Sequence, residues 1–408
     1  MKGIEVRLAN ICEVITKGTT PSNIGEEFTT DGVRYIRSEM INSSKNISEE
    51  GVLYISEETH DKLKRSQLKS GDILFSMAGV YLGKTAILRE RDVPANTNQA
   101  VALIRVNPKK CNCEYIYYFL NLPAIVKSVN SMTAQAAQPN INLRQIGNIP
   151  IVLPPQEVQD RVVAVISPYD DLIENNQKQI KLLEEAAQRL YKEWFVDLHF
   201  PGHENTKITD GVPEGWTRCV LGDLIDFNPK VSLSKEQKKQ SVPMSALSTS
   251  SMTLDMAEVY TTESNAGSKF QNGDTLLARI TPCLENGKTA FVAGIESQEG
   301  AVGSTEFIVM RSRRLNPYMV YLLARTDDFR NSAINSMTGS DGRQRAQVDK
   351  LQALPHLEPP RKIIDTFEKN IAPLFLQIRR KNEMNWHLRE ARDRLLPKLM
   401  SGELEVQI

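Results

Sequence analysis

Across 408 residues there is no apolar run of 18, and no basic stretch leading into an apolar leader. The expectation is a cytoplasmic protein that does not enter a membrane. An excess of one charge is also lacking: 50 Lys and Arg face 50 Asp and Glu, so the chain has no bulk pull on a polyanion. That argues against a lone, non-specific nucleic-acid coat and leaves room for basic groups placed locally. Cysteine is scarce, five residues scattered at Cys12, Cys111, Cys113, Cys219 and Cys283. The one-residue gap in Cys111-Asn112-Cys113 is wrong for a zinc knuckle, so reduced thiols are expected. Between His199 and His203, Pro201-Gly202 breaks any helix that would align the two rings.

Catalytic motifs are missing too. Gly83-Lys84-Thr85 invites a phosphate-loop reading, but the glycine required five residues before Gly83 is Ala78, and in the matching Gly287-Lys288-Thr289 it is Pro282. The better reading is a strand start with an exposed lysine, free to touch a phosphate backbone. There is no dinucleotide fingerprint, His-Glu-x-x-His or Gly-x-Ser-x-Gly. Asn228-Pro229-Lys230 fails the Asn-Pro-Pro-aromatic pattern of amino-methyltransferases at its third position. No clustered carboxylates with a lysine suggest a nuclease.

What the chain does have is a repeat. The positions Val158, Val162, Val165, Tyr169, Leu172, Asn176, Ile180, Leu183, Ala187, Leu190 and Trp194 step mostly by threes and fours, the seam of a coiled coil. Nearly the same seam returns as Ile364, Phe367, Ile371, Leu374, Ile378, Lys381, Asn385, Leu388, Arg392, Leu395 and Leu399. Each is opened by a proline pair, and Pro168 and Pro373 are expected to divide a short lead-in helix from a long one. Two seams in one chain are most simply satisfied by each other, as an antiparallel pair. Leu182, Tyr191, Phe195, Phe375, Trp386 and Leu396 lie off the seams and offer surface for another chain.

The globular parts repeat as well. Arg7-Leu8 returns as Val220-Leu221, Gly71-Asp72 as Gly273-Asp274, Gly83-Lys84-Thr85-Ala86 as Gly287-Lys288-Thr289-Ala290, and Ser131-Met132-Thr133 as Ser336-Met337-Thr338. The offsets are 213, 202, 204 and 205, so short insertions and deletions separate the landmarks of one duplicated unit. Strand-like stretches at Val33–Arg37, Ile73–Ser76, Gly83–Leu88 and Ala100–Val106, with a helix from Glu114 to Leu122, make each unit mixed and strand-rich. Residues 199–216, with two prolines and three glycines, read as a linker.

The copies diverge where loops are expected. Thr133 to Asn140 faces Thr338 to Arg345, and the polar residues there are of types that bond base edges. Candidate nucleic-acid contacts are Asn98, Gln99, Gln138, Asn140 and Arg144 in the first copy, with Asn142 beside them. In the second they are Arg279, Arg343, Gln344 and Arg345, with Gln347. Arg37, Lys84 and Lys288 join them as basic groups on strand-like stretches. No catalytic residue and no metal ligand is assigned.

Gly71-Asp72-Ile73-Leu74-Phe75-Ser76, Leu153-Pro154-Pro155-Gln156-Glu157, and a helix closing on Leu190-Tyr191-Lys192-Glu193-Trp194-Phe195 follow in order. Val212-Pro213-Glu214-Gly215-Trp216 and Leu221-Gly222-Asp223-Leu224 come next, and the unit repeats to Leu399-Met400-Ser401-Gly402. This order resembles the specificity subunits of type I restriction–modification enzymes over essentially the full length. Leu357-Glu358-Pro359-Pro360-Arg361 departs from the pattern, lacking the Gln-Glu that follows the prolines in the first copy.

The resemblance implies an α+β fold of two similar mixed α/β target-recognition domains, separated by two long antiparallel coiled-coil helices in a pseudo-two-fold repeat. The expected bounds are a first recognition domain at 1–153, a central spacer helix at 154–198, the linker, a second recognition domain at 217–358, and a C-terminal spacer helix at 359–402. It further implies a non-catalytic subunit whose domains each read half of a bipartite double-stranded DNA site. The helices would set the spacing and dock two modification (methyltransferase) subunits, which carry the S-adenosylmethionine; this chain would need no cofactor of its own. Restriction (motor-nuclease) subunits would complete the assembly. The competing expectation is a scaffold, two ligand-binding domains on a helical strut, indifferent to salt and to DNA sequence.

Overall fold

The computed structural model describes residues 3–41, 45–49, 51–132, 140–234, 237–340 and 342–405. Its contacts divide into two units, Met1–Ile173 with His387–Ile408, and Glu174–Trp386.

The first unit is built on an antiparallel sheet in the order Cys12–Lys17, Val101–Val106, Ile73–Ser76, Thr85–Ile87. Ile73–Ser76 is buried throughout, as a central strand should be. A second sheet sets Val33–Ile36 between antiparallel Leu53–Ile55 and parallel Ala95–Thr97. Ile4–Arg7 pairs with Pro150–Leu153. The Gly-Asp landmark is structural. Gly71 takes φ +85°, a turn that disfavours any Cβ. The Asp72 carboxylate accepts the Lys69 amide at 2.7 Å and both Nε and Nη2 of Arg105, each at 2.7 Å, from the neighbouring strand. Buried and bidentate, this clamp fastens the turn to the sheet.

The second unit repeats that plan. Its first sheet runs Ile225–Phe227, Phe307–Ser312, Thr275–Ala278, Thr289–Phe291. Its second runs Tyr260–Thr262, Lys239–Val242, Ala301–Gly303, Ser268–Phe270, the last strand corresponding to an isolated bridge between Leu68 and Ala95 in the first unit. Thr217–Val220 pairs with Pro355–Glu358. The clamp returns as Asp274, which accepts the Gln271 amide at 2.8 Å and Nε and Nη2 of Arg311 at 2.7 Å each. Asn112 and Asn316 cap equivalent helices, Cys113–Leu120 and Pro317–Ala324. Gly83 (φ +78°) and Gly287 (φ +73°) turn the chain into Thr85–Ile87 and Thr289–Phe291, which makes Gly-Lys-Thr a strand start in both copies.

The long helices are Gln156–Tyr191, closed by a π-turn at Lys192–Val196, and Arg361–Ser401. Both run straight through the prolines expected to divide them. Pro168 and Pro373 are exposed, and so are Ala164 and Lys369, whose carbonyls each proline leaves unbonded. Water can satisfy those carbonyls, which lowers the cost of a proline inside a helix.

In the first unit, Val162 and Ile166 share a core with Leu396, Leu399 and Met400. There Asp170 accepts Tyr118 Oη at 2.6 Å and Arg392 Nη1 at 2.5 Å. In the second, Ile180, Ala187, Tyr191 and Trp194 pack with Ile364, Phe367, Ile371 and Ile378, and Asn176 donates to Asn385 at 2.9 Å inside the seam. The helices are antiparallel within each unit. The second seam lies as its spacing predicts. The first does so at Val162 and Asn176 but is displaced by one residue between them: Val165 and Leu172 (48% exposed) face outward while Ile166 and Ile173 are buried. The helix there packs against a globular core as well as a partner helix, so its apolar face is broader than a two-residue seam. Of the off-seam residues, Leu182 and Trp386 are exposed, whereas Tyr191, Phe375 and Leu396 are buried and Phe195 half-buried. Among the described residues no helix is long and apolar enough to cross a membrane.

Candidate functional site

In the first unit three strand ends converge. Met77 follows Ile73–Ser76, its amide donating to Ala100 O at 2.8 Å and its carbonyl accepting from Ile141 at 2.9 Å. Ala78 bridges Asn140, so the segment after residue 139 is fastened by main-chain bonds to the sheet. The result is a cleft of about 590 Å³ lined by Lys17, Met77, Gln99 and Asn140 to Arg144. Of the candidate nucleic-acid contacts, Gln99, Asn140 and Arg144 are brought together by the fold. Asn140 and Arg144 are exposed; Gln99 Oε1 accepts the Thr20 hydroxyl.

The neighbours behave differently. Asn98 Oδ1 accepts the Ala100 amide at 3.1 Å and shapes the turn. Asn142 is an N-cap: its Oδ1 accepts Gln145 N at 2.9 Å and Gln145 Oε1 accepts Asn142 N at 3.0 Å. Arg37 donates to Gly51 O at 3.2 Å, and Lys84 Nζ lies 5.0 Å from the Tyr81 ring centre; neither lines the cleft. Gln138 lies outside the described residues. Lys17 was missed, since a lysine at a strand end carries no signal of its own.

The second unit has the same backbone with other side chains. Ala346 N donates to Arg279 O at 2.8 Å, Thr281 N to Gln344 O at 3.1 Å, and Ile280 bridges Arg345. Arg345 therefore holds the position that Asn140 holds in the first copy. Its Nε and Nη2 donate to both oxygens of the Glu306 carboxylate at 2.7–3.1 Å. Those hydrogen bonds hold Glu306 below the usual carboxylate range. A guanidinium has five N–H donors, so this grip on one edge leaves Nη1 free to point elsewhere. Glu306 was not foreseen: 39 residues separate it from Arg345.

Around this pair, Arg279 Nη2 donates to Ala346 O at 3.1 Å, and Gln347 Nε2 donates to Thr338 Oγ1 and Arg345 O at 2.7 and 2.8 Å. Arg343 is exposed, Gln344 half-buried. Lys288 Nζ donates to Met244 O at 3.0 Å. Two equivalent loops on equivalent scaffolds thus present different hydrogen-bonding groups.

Comparison with known proteins bears on this arrangement. The family model "Type I restriction modification DNA specificity domain" matches residues 1–185. The type I restriction enzyme MjaIX specificity subunit of Methanocaldococcus jannaschii is 25% identical over 96% of this chain and 91% of its own length. The type I restriction enzyme EcoEI specificity subunit of Escherichia coli is 31% identical over 39% of this chain and 28% of its own. Among solved structures, the S subunit of a type I restriction–modification system from M. genitalium superposes with a TM-score of 0.57 at 13% identity, covering 97% of this chain and 95% of that one. Residues 1–185 thus match the type I restriction modification DNA specificity domain, and the chain over nearly its full length is similar to a type I restriction enzyme specificity subunit.

Proposed function

We propose that this chain is the non-catalytic DNA-reading component of a type I restriction–modification assembly, each unit reading one half of a bipartite duplex site. The recognition domains are residues 1–153 and 217–358. The observation that carries the reading is the pair of matched loops: one scaffold, presented twice, shows Asn140 in one copy and Arg345 gripped by Glu306 in the other. An amide suits adenine and a guanidinium suits guanine, so the half-sites differ at that step. The long helices act as the spacer; Gln156–Tyr191 has 36 residues, about 54 Å at 1.5 Å per residue, long enough for half-sites one DNA turn apart. Exposed Leu172, Leu182 and Trp386 belong to surfaces where methyltransferase subunits dock. Those subunits bring S-adenosylmethionine and methylate adenine, and motor-nuclease subunits cut. Neutral net charge fits a reader whose partners supply much of the phosphate contact.

The test is to co-purify the chain with the methyltransferase encoded beside it and to sequence methylated adenines on random DNA. A split motif is expected; absence of methylation at any split site would refute the proposal.

A further inference from the structure

The two copies of the fold disagree at one apolar place. In the second unit the strand Thr217–Val220 is entered through Trp216, whose buried ring lies 6.1 Å from that of Phe195 and 5.1 Å from that of Phe200. Counting from the paired strands and the helix ends, the same three positions in the first unit are Gly3, Met400 and Glu405. None of them carries a ring. Instead the first unit has a cavity of about 520 Å³, walled by Phe119, Leu122, Val152 and Met400 with Gly3 at its edge. Pro123, Pro154 and Pro397 complete the walls, rigid apolar rings well suited to lie against an aromatic face. The Ser401 hydroxyl, also on the wall, is engaged with Lys398 O at 3.2 Å. A cavity of this size and lining favours an apolar or aromatic guest over water.

None of residues 1, 2 and 406–408 is aromatic, so none of them can supply a ring to this cavity. We propose that the cavity is a socket for a tryptophan side chain of a partner polypeptide, which fills in trans the place that Trp216 fills in cis in the second unit. The second unit is the template for the occupant: same strand pair, same helix end, an indole between them. Nothing in this depends on the DNA-reading proposal, and either can fail alone.

The test titrates the full chain calorimetrically with N-acetyl-tryptophanamide and, separately, N-acetyl-leucinamide. Saturable binding of the tryptophan amide is expected, up to roughly tenfold tighter than the leucine amide. The double variant Gly3→Trp, Val152→Leu transplants Trp216 and Leu357 from the second unit; Val152 is changed because its Cγ1 stands 2.7 Å from a Cβ built at Gly3. That variant should melt at a higher temperature and lose the binding. Ala124→Phe, an exposed change on the cavity wall, should also lose it, and decides the matter if the double variant does not fold. No saturable binding, equal affinity for the two amides, or binding that survives Ala124→Phe would overturn the proposal.

Discussion

Replacing Arg345 with alanine removes a side chain whose geometry is already set. Glu306 grips the Nε and Nη2 edge, so the guanidinium has one edge fixed and little rotamer freedom left to lose on binding DNA as proposed. A bidentate contact to guanine discriminates by an amount equivalent to roughly 5- to 150-fold in affinity, and Arg345→Ala should cost that much at one half-site alone. Glu306→Gln keeps the arginine and loosens its anchor. Its cost is that of ordering one long side chain on binding, about 2- to 10-fold, again at that half-site. Arg345→Lys keeps the charge without the fork and should resemble alanine more than wild type. Competition binding with duplexes randomised in one half or the other measures all three, repeated across salt concentrations. Equal loss at both halves with a shallower salt dependence would mean that Arg345 holds phosphate, and the base-reading argument would be wrong. The Glu306 carboxyl is held low, so the anchor is intact above the ordinary carboxylate range and is lost only as pH falls through its depressed value. Discrimination at this half-site should therefore be flat between pH 6 and 8.

Four further outcomes are expected. Asp274→Ala breaks a buried bidentate clamp and should destabilise the second unit by about 3–5 kcal/mol in chemical denaturation, as Asp72→Ala should the first; losses near zero would show that the clamps are ornamental. Asn176→Leu leaves Asn385 buried without its partner and should cost about 1–3 kcal/mol, while the double leucine variant recovers most of it, as a double-mutant cycle would reveal. Glu184 is pushed up to about 7, chiefly by burial, while accepting the Met252 amide at 2.7 Å. A carboxyl raised in the folded state loses stability as pH climbs from its unfolded value through 7, so Glu184→Gln should gain on wild type in melting temperature between pH 5 and 8; a constant difference would contradict this. Inserting about four residues near Asn176 should change the preferred spacer and leave both half-site sequences alone.

Much of the scaffold was legible because duplication is visible in one sequence. Gly71-Asp72 and Gly273-Asp274 mark the same turn, and the seam of Arg361–Ser401 follows its spacing. The first helix was harder, because Val165 and Ile166 are both apolar neighbours and only the globular core decides which one turns inward. Pro168 looked like a boundary since sequence says nothing of whether Ala164 O meets water. At the tips, residue type pointed to Asn140, Arg144 and Arg345, which the fold places at the first unit's cleft and at the equivalent position of the second. It could not separate Asn142, whose amide caps a helix, from Asn140, whose amide is exposed, although Asn142-x-x-Gln145 is a capping-box pattern. Glu306 and Lys17 enter only through pairings between distant strands.

Asn140 and Arg345 are held by main-chain bonds, Asn140 through Ala78 and Ile141, Arg345 through Ile280 and Ala346. Bonds of that kind are blind to what the Cα carries. On the proposed reading, a mutation there exchanges one letter of the target for another while those main-chain bonds stay in place, so a lineage would change which invading genomes it marks as foreign in single steps.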